Sequence, residues 1–179
     1  MKKKKAFITG IAGQDGSYLA EHLLENDYEV YGMVRRNSTP EHQESRIDHL
    51  IENESVHTEY GDMLDKSSMD RMLQSIQPDE IYSIAAQSHV RISFDLPVFT
   101  VQTNAVGVLN LLESYRLNCP KARFYQASSS EMFGNSMDED EFQRETTPFN
   151  PTSPYGCAKV FGYNITRHYR NAHKLFACN

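Results

Sequence analysis

The sequence predicts an α/β fold of Rossmann type, a doubly wound parallel sheet with helices on both faces. Three observations carry this. Short apolar runs alternate with helical patterns along the whole chain. A glycine turn joins the first run to the first helical pattern. Hydroxyl-rich or acidic segments follow later strand ends, where open α/β sheets hold their ligands.

The candidate strands are 6–9, 29–34, 56–60, 80–85, 123–128 and 175–178. Helical patterns lie between them near 15–26, 43–53, 66–76, 97–117 and 154–172. Strands separated by helices of this length imply right-handed crossovers and parallel pairing. No repeat, low-complexity tract or linker divides the 179 residues, so residues 1–179 read as one domain. The chain stops at Asn179, just after the sixth candidate strand. A last strand needs a partner or a cover, so the sequence reads as the N-terminal portion of something longer.

Composition narrows the function. Apolar content of 39% with 23% charge suits a soluble globular protein. A net charge of -6 argues against general nucleic-acid binding, which relies on a basic surface. Lys2 to Lys5 resemble the start of a signal peptide, but the apolar run behind them ends at Ile8, too short for its core. No stretch approaches the ~20 apolar residues of a membrane helix. The lysines read as a solvated start to the first strand. Cys119, Cys157 and Cys178 are odd in number and lack metal-ligand spacing. They suggest small buried side chains in a reducing compartment, hence a cytoplasmic protein with no metal site. Asp138 to Glu141 form an acidic patch expected in a solvated loop.

The run Ala6 to Thr9 leads into Gly10, Gly13 and Gly16, and Leu19, Ala20, Leu23 and Leu24 follow at helical spacing. In such a strand–turn–helix, Gly10 makes the tight turn and Gly13 lets backbone approach a pyrophosphate. Gly16 lets helix and strand pack closely, and the helix N-terminus offers free N–H groups to phosphate. A site for NAD carries an acidic residue about 20 residues further on. Here the second strand runs into Arg35-Arg36-Asn37-Ser38, with no carboxylate. A guanidinium pairs with a 2′-phosphate, so the expected cofactor is NADP, read mainly by Arg35.

Tyr155 and Lys159 stand four apart at the start of a helix announced by Ser153-Pro154. An ammonium beside a phenol favours phenolate, which can take the proton of a substrate hydroxyl. The end of the fifth strand supplies Ser128-Ser129-Ser130-Glu131. Hydroxyls there suit a substrate oxygen, and Glu131 suits acid or base work on a neighbouring carbon.

These motifs, with Gly13-Gln14-Asp15-Gly16-Ser17-Tyr18-Leu19 and Ala85-Ala86-Gln87-Ser88-His89-Val90, make the chain resemble the extended short-chain dehydrogenase/reductases. Within that family it resembles the GDP-mannose 4,6-dehydratases, and Gly61-Asp62, Glu145 to Phe149 and Ser153-Pro154-Tyr155 extend the likeness over nearly the whole chain. The resemblance implies conversion of GDP-mannose to GDP-4-keto-6-deoxy-mannose by internal hydride transfer through NADP. Tyr155 would deprotonate the C4 hydroxyl, Lys159 would hold the nicotinamide ribose, and Glu131 would remove the C5 proton as water leaves C6. Ser129 would bond the substrate oxygen. Cofactor contacts would be Gly10, Ile11, Ala12, Gly13, Gln14 and Asp15; Arg35, Arg36, Asn37 and Ser38; Asp62 and Met63; Ile84, Ala85, Ala86, Gln87 and Ser88; and Lys159.

Three departures stand out. Ser129 replaces the usual Thr, and Phe99 stands where Tyr is common. The family's C-terminal substrate domain is missing. The resemblance also implies a homo-oligomer, dimer or tetramer, and the helix 97–117 carries apolar residues enough for core and partner both. Two other readings stay open: a nucleotide-sugar 4-epimerase or 4-ketoreductase, which has no use for Glu131, and a non-catalytic NADP-binding module.

Overall fold

The computed structural model describes residues 3–35 and 46–179. Helices and strands alternate as β1 (Lys4–Thr9), α1 (Gln14–Glu25), β2 (Tyr28–Val34), α2 (Asp48–Ile51), β3 (Val56–Tyr60), α3 (Lys66–Ile76) and β4 (Glu80–Ser83). Then follow α4 (Val90–Asp95), α5 (Pro97–Val101), a π-helical segment (Gln102–Val106), α6 (Gly107–Asn118), β5 (Arg123–Gln126), a 3-10 turn (Ser130–Met132), α7 (Pro154–His173) and β6 (Ala177–Cys178). All strand pairs are parallel, in the order β3-β2-β1-β4-β5-β6. The predicted doubly wound sheet is thus observed.

Alternation along β1 sends side chains to opposite faces. Ala6 and Ile8 join Ala20 and Leu23 of α1, Val30 and Val56 in one core. Phe7 joins Met69, Met72 and Leu73 of α3, Leu111, Leu112 and Tyr115 of α6, Phe124 and Tyr169 of α7 in the other. Helices therefore cover both faces. Lys4 and Lys5 are the first residues of β1.

The expected helix 97–117 is helical from Pro97 to Asn118 but passes through the π segment. Its apolar residues divide: Val108, Leu111 and Leu112 are buried, while Val98 (67%), Val101 (40%) and Val106 (43%) are exposed. The helix α4 has no counterpart in the expected elements. Of the helix expected at 43–53, only Asp48–Ile51 is helical among the described residues. Residues 43–45 lie outside them.

Among the cysteines only Cys119 fits the expectation of small buried side chains, since Cys157 is exposed and Cys178 half-buried. Cys157 faces outward because its helix buries Tyr155, Gly156, Ala158 and Lys159 instead. The acidic patch lies in an exposed loop as expected, but it is tied as well as solvated. Arg144 donates to Asp138 Oδ2 at 2.9 Å and to Asp140 Oδ1 and Oδ2 at 2.8 and 2.6 Å. No helix among the described residues is long and apolar enough to cross a membrane.

Gly16 is where the fold tolerates least change. A Cβ there would lie 2.3 Å from the Gly10 carbonyl oxygen and 2.8 Å from Ile11 Cα. Both are backbone atoms, so neither a rotamer change nor a side-chain shift relieves the clash. Gly16→Ala is expected to cost about 3 kcal/mol, read as a lowered urea midpoint at unchanged slope.

Candidate active site

The sheet order reverses between β1 and β4, where an open α/β sheet forms its ligand crevice. A hydroxyl on β1 makes the opening. Thr9 Oγ1 accepts the N–H groups of Ile84 and Ala85 at 3.1 and 3.2 Å and donates to the Tyr82 carbonyl at 3.4 Å. Strand β4 therefore stops at Ser83, two residues before its predicted end, because the next two donors leave the ladder. Gly10, at φ 77°, passes beneath Ala85, whose Cα would be 2.9 Å from any Cβ there.

Above this point lies a cleft of about 540 Å³. Gly10, Ala12, Gly13, Gln14 and Asp15 line its floor, Arg35 the end of β2, Asp62 and Met63 the end of β3, and Ile84 to Ser88 the end of β4. The structure thus brings together most of the residues expected to contact a cofactor. Arg36, Asn37 and Ser38 lie outside the described residues. The Ile11 side chain is fully buried against Gly32 in the α1 core, which leaves only its backbone in the turn to face a cofactor. Lys159 does not line the cleft wall either, because its ammonium is drawn to a carbonyl described below. Phe99 does line the cleft, and so does Thr103, which sequence reasoning missed.

Also missed is Asn104, the residue that holds one wall. Its Oδ1 accepts the Gln87 N–H at 2.8 Å and its Nδ2 donates to the Gln87 carbonyl at 2.9 Å. The signal that could have found it is a Thr-Asn pair inside an apolar helical pattern, polar residues that need partners once buried.

The cleft fits a dinucleotide. Gly13 is the N-cap of α1 and supplies no side-chain cap, so the first N–H groups are left for an anion. The end of β2 offers the exposed Arg35 and, among the described residues lining the cleft there, no carboxylate.

The catalytic candidates converge beyond β5. Ser129 Oγ accepts the Glu131 N–H at 3.2 Å, which starts the 3-10 turn. Ser153 Oγ caps α7 by accepting the Gly156 N–H at 3.0 Å, with Pro154 in the first turn. A Cβ on Gly156 would come within 2.6 Å of the Glu131 carbonyl oxygen, so the two segments touch backbone to backbone. Tyr155 is buried between them. Lys159 Nζ donates to the Ala127 carbonyl at 3.0 Å and lies 5.7 Å from the Tyr155 ring centroid.

Burial pushes the Tyr155 phenol above its ordinary value; a hydrogen bond with Ser129 draws it down and the Glu131 charge raises it. The Lys159 ammonium is bonded to the Ala127 carbonyl, 5.7 Å from the Tyr155 ring centroid. Burial also brings Lys159 itself down to about 8. Among the described residues no cluster of His, Cys, Asp and Glu has the makings of a metal site.

Fold and site together define a Rossmann-type α/β protein with a tyrosine–lysine pair beside a switch-point crevice. The NAD complex of a Thermus thermophilus UDP-glucose 4-epimerase is similar, with a TM-score of 0.82 at 27% identity over 96% of this chain and 52% of its own. The model of the GDP-mannose 4,6 dehydratase family matches residues 7–179, and the chain belongs to that family. It is 50% identical over 98% of its length to a GDP-mannose 4,6-dehydratase of Yersinia enterocolitica, and 48% identical over 99% to one of Drosophila melanogaster. The chain spans about half the length of these relatives, 48% and 46% respectively.

Proposed function

We propose that residues 1–179 form the NADP-binding domain, with catalytic residues, of an enzyme that converts GDP-mannose to GDP-4-keto-6-deoxy-mannose. The observation that carries this reading is the convergence of Ser129, Glu131, Tyr155 and Lys159 beside a glycine-floored cleft. The names of the relatives supply the sugar nucleotide, and the NAD of the Thermus epimerase complex supports a nicotinamide dinucleotide.

When bound, the cofactor supplies a hydride acceptor for C4 and a hydride donor for C6, with no net redox change. The rest falls to the chain. The N-terminus of α1 and Gly10 to Asp15 hold the pyrophosphate, and Arg35 pairs with the 2′-phosphate. Ser129 donates a hydrogen bond to the oxygen on C4 and orients it toward Tyr155. Tyr155 Oη takes the proton of that hydroxyl. Its raised pKa makes the bare phenol a poor base, so added positive charge in the cleft is what brings it into range. Lys159 contributes to that charge and would hold the ribose. With C4 a ketone, the C5 proton is acidic; the Glu131 carboxylate removes it and passes it to the departing C6 hydroxyl, which leaves as water, and the proton that Tyr155 took from the C4 hydroxyl goes to C5.

Mass spectrometry of GDP-mannose incubated with this chain and NADP tests the reading: the expected product is lighter by one water. Unchanged GDP-mannose in the presence of bound NADP would reduce the chain to a cofactor module. Arg35→Glu tests the cofactor choice and is expected to weaken NADP at least about tenfold more than NAD, since it replaces a charge-assisted pair by repulsion. Equal losses in calorimetric titrations would place recognition of the 2′-phosphate elsewhere.

The same reading takes the protein as a cytoplasmic homo-oligomer, a dimer or tetramer. It is supported by three free thiols and by the outward Val98, Val101 and Val106. Sedimentation velocity checks the oligomer.

A further inference from the structure

The cleft has two ends. A pyrophosphate at the glycine turn puts the adenosine ribose beside the end of β2. The next wall outward is the end of β3, where Gly61, Asp62 and Met63 face the cleft. The other end is at Ile84 to Ser88 after β4, the side of the sheet on which β5, Tyr155 and Lys159 lie. How the β3 wall is held therefore bears on one half of the ligand only.

Two features of α6 hold it. Asn110 Nδ2 donates to the Met63 carbonyl at 3.1 Å. One turn earlier, Gly107 lets the helix press on the same residue, since a Cβ there would lie 2.7 Å from Met63 Cβ and 3.3 Å from its carbonyl oxygen. The Met63 side chain is buried in the α3–α6 core. Asp62 Oδ1 accepts the Leu64 N–H at 2.9 Å, which closes the turn locally. Asn110 is the polar exception in the run Val108-Leu109-Asn110-Leu111-Leu112. Asn110 is half-buried, and its amide meets the carbonyl at the rim of the cleft rather than water alone.

We infer that Asn110 is a positioning residue for the adenosine half of the cofactor, holding the Asp62–Met63 wall against α6 through the Met63 carbonyl. The inference rests on the cofactor reading above. Asn110 does not touch the ligand; it fixes the backbone that does.

The test is Asn110→Leu in the full chain, close in volume and without the donor, titrated calorimetrically with NADP, NAD and 2′,5′-ADP. All three are expected to bind about three- to tenfold more weakly, the loss of one hydrogen bond. The factor for 2′,5′-ADP should match that for NADP, and the NADP-to-NAD preference should stay as in the unsubstituted chain, unlike Arg35→Glu. The melting temperature without ligand should move by only a few degrees. Unaltered affinities, or a loss for NADP not shared by 2′,5′-ADP, would overturn the assignment. Should the variant unfold, Gly107→Ala carries the same test by displacing Met63, with the same outcomes deciding. An unsubstituted chain that binds none of the three ligands overturns the cofactor reading, and the assignment falls with it.

Discussion

Glu131→Gln is expected to lower the dehydration rate by about 10²- to 10⁴-fold, the usual worth of a positioned general base. Oxidation at C4 should persist. Glutamine keeps the shape of the 3-10 turn, because that turn is nucleated by the Glu131 N–H on Ser129 and not by its side chain. The Tyr155 environment should change little, since burial is the larger influence on it and the Glu131 charge the smaller. A variant that binds substrate and exchanges hydride at C4, yet fails to wash solvent deuterium into C5, is the expected result. Dehydration at the unsubstituted rate would show that Glu131 is not the C5 base, whereas absence of dehydration in the unsubstituted chain would favour the 4-epimerase alternative, which needs Tyr155 and Lys159 but no base at C5.

Lys159→Met should be inactive and more stable. Burial takes the Lys159 ammonium from an ordinary value of 10.5 to about 8. That difference corresponds to about 3 kcal/mol of penalty for keeping it charged in the fold. Its hydrogen bond to the Ala127 carbonyl offsets about half, so methionine should raise the melting temperature at pH 7 by roughly 3–6 °C. The sign with pH follows from the lowered value. Below about pH 8 the lysine is charged in both folded and unfolded chains and the penalty is present in full. As pH rises from 8 toward the unfolded value near ~10.4, the unfolded chain holds more protons and the wild type gains stability. The advantage of the variant should therefore be flat below pH 8 and shrink above it. Thermal melts across that range that show no advantage at neutral pH would mean the buried ammonium is satisfied by more than Ala127.

Which parts of the molecule are legible in the sequence follows from where the physics is local. The six strands and the glycine turn are written in short-range pattern: apolar alternation, and positions where a Cβ meets backbone. The end of β4 is not, because it is set from elsewhere. Thr9 withdraws Ile84 and Ala85 from pairing, a contact across about 75 positions of sequence. The π segment is equally hidden: nothing in Gln102 to Val106 disfavours an ordinary helix, and only the buried Asn104 facing Gln87 gives the widened turn a purpose. The site divides the same way. Tyr155, Lys159, Ser129 and Glu131 can be picked out by type and spacing, but their electrostatics cannot. Spacing puts an ammonium near a phenol, but it does not show how far burial raises the phenol and lowers the ammonium. Position in the turn puts Ile11 in the cleft with its neighbours, although its side chain serves the core.

The Thr9 hydroxyl has a thermodynamic meaning beyond shape. The crevice it opens exists only after β1 and β4 have paired, so an unfolded or partly folded chain has nothing resembling the binding surface. A cleft ligand then sees the native state alone, and its occupancy is added in full to the free energy of unfolding, about 2.7 kcal/mol at a hundredfold excess over its dissociation constant. In a cell, the supply of that ligand would act as a rheostat on how much of the chain survives.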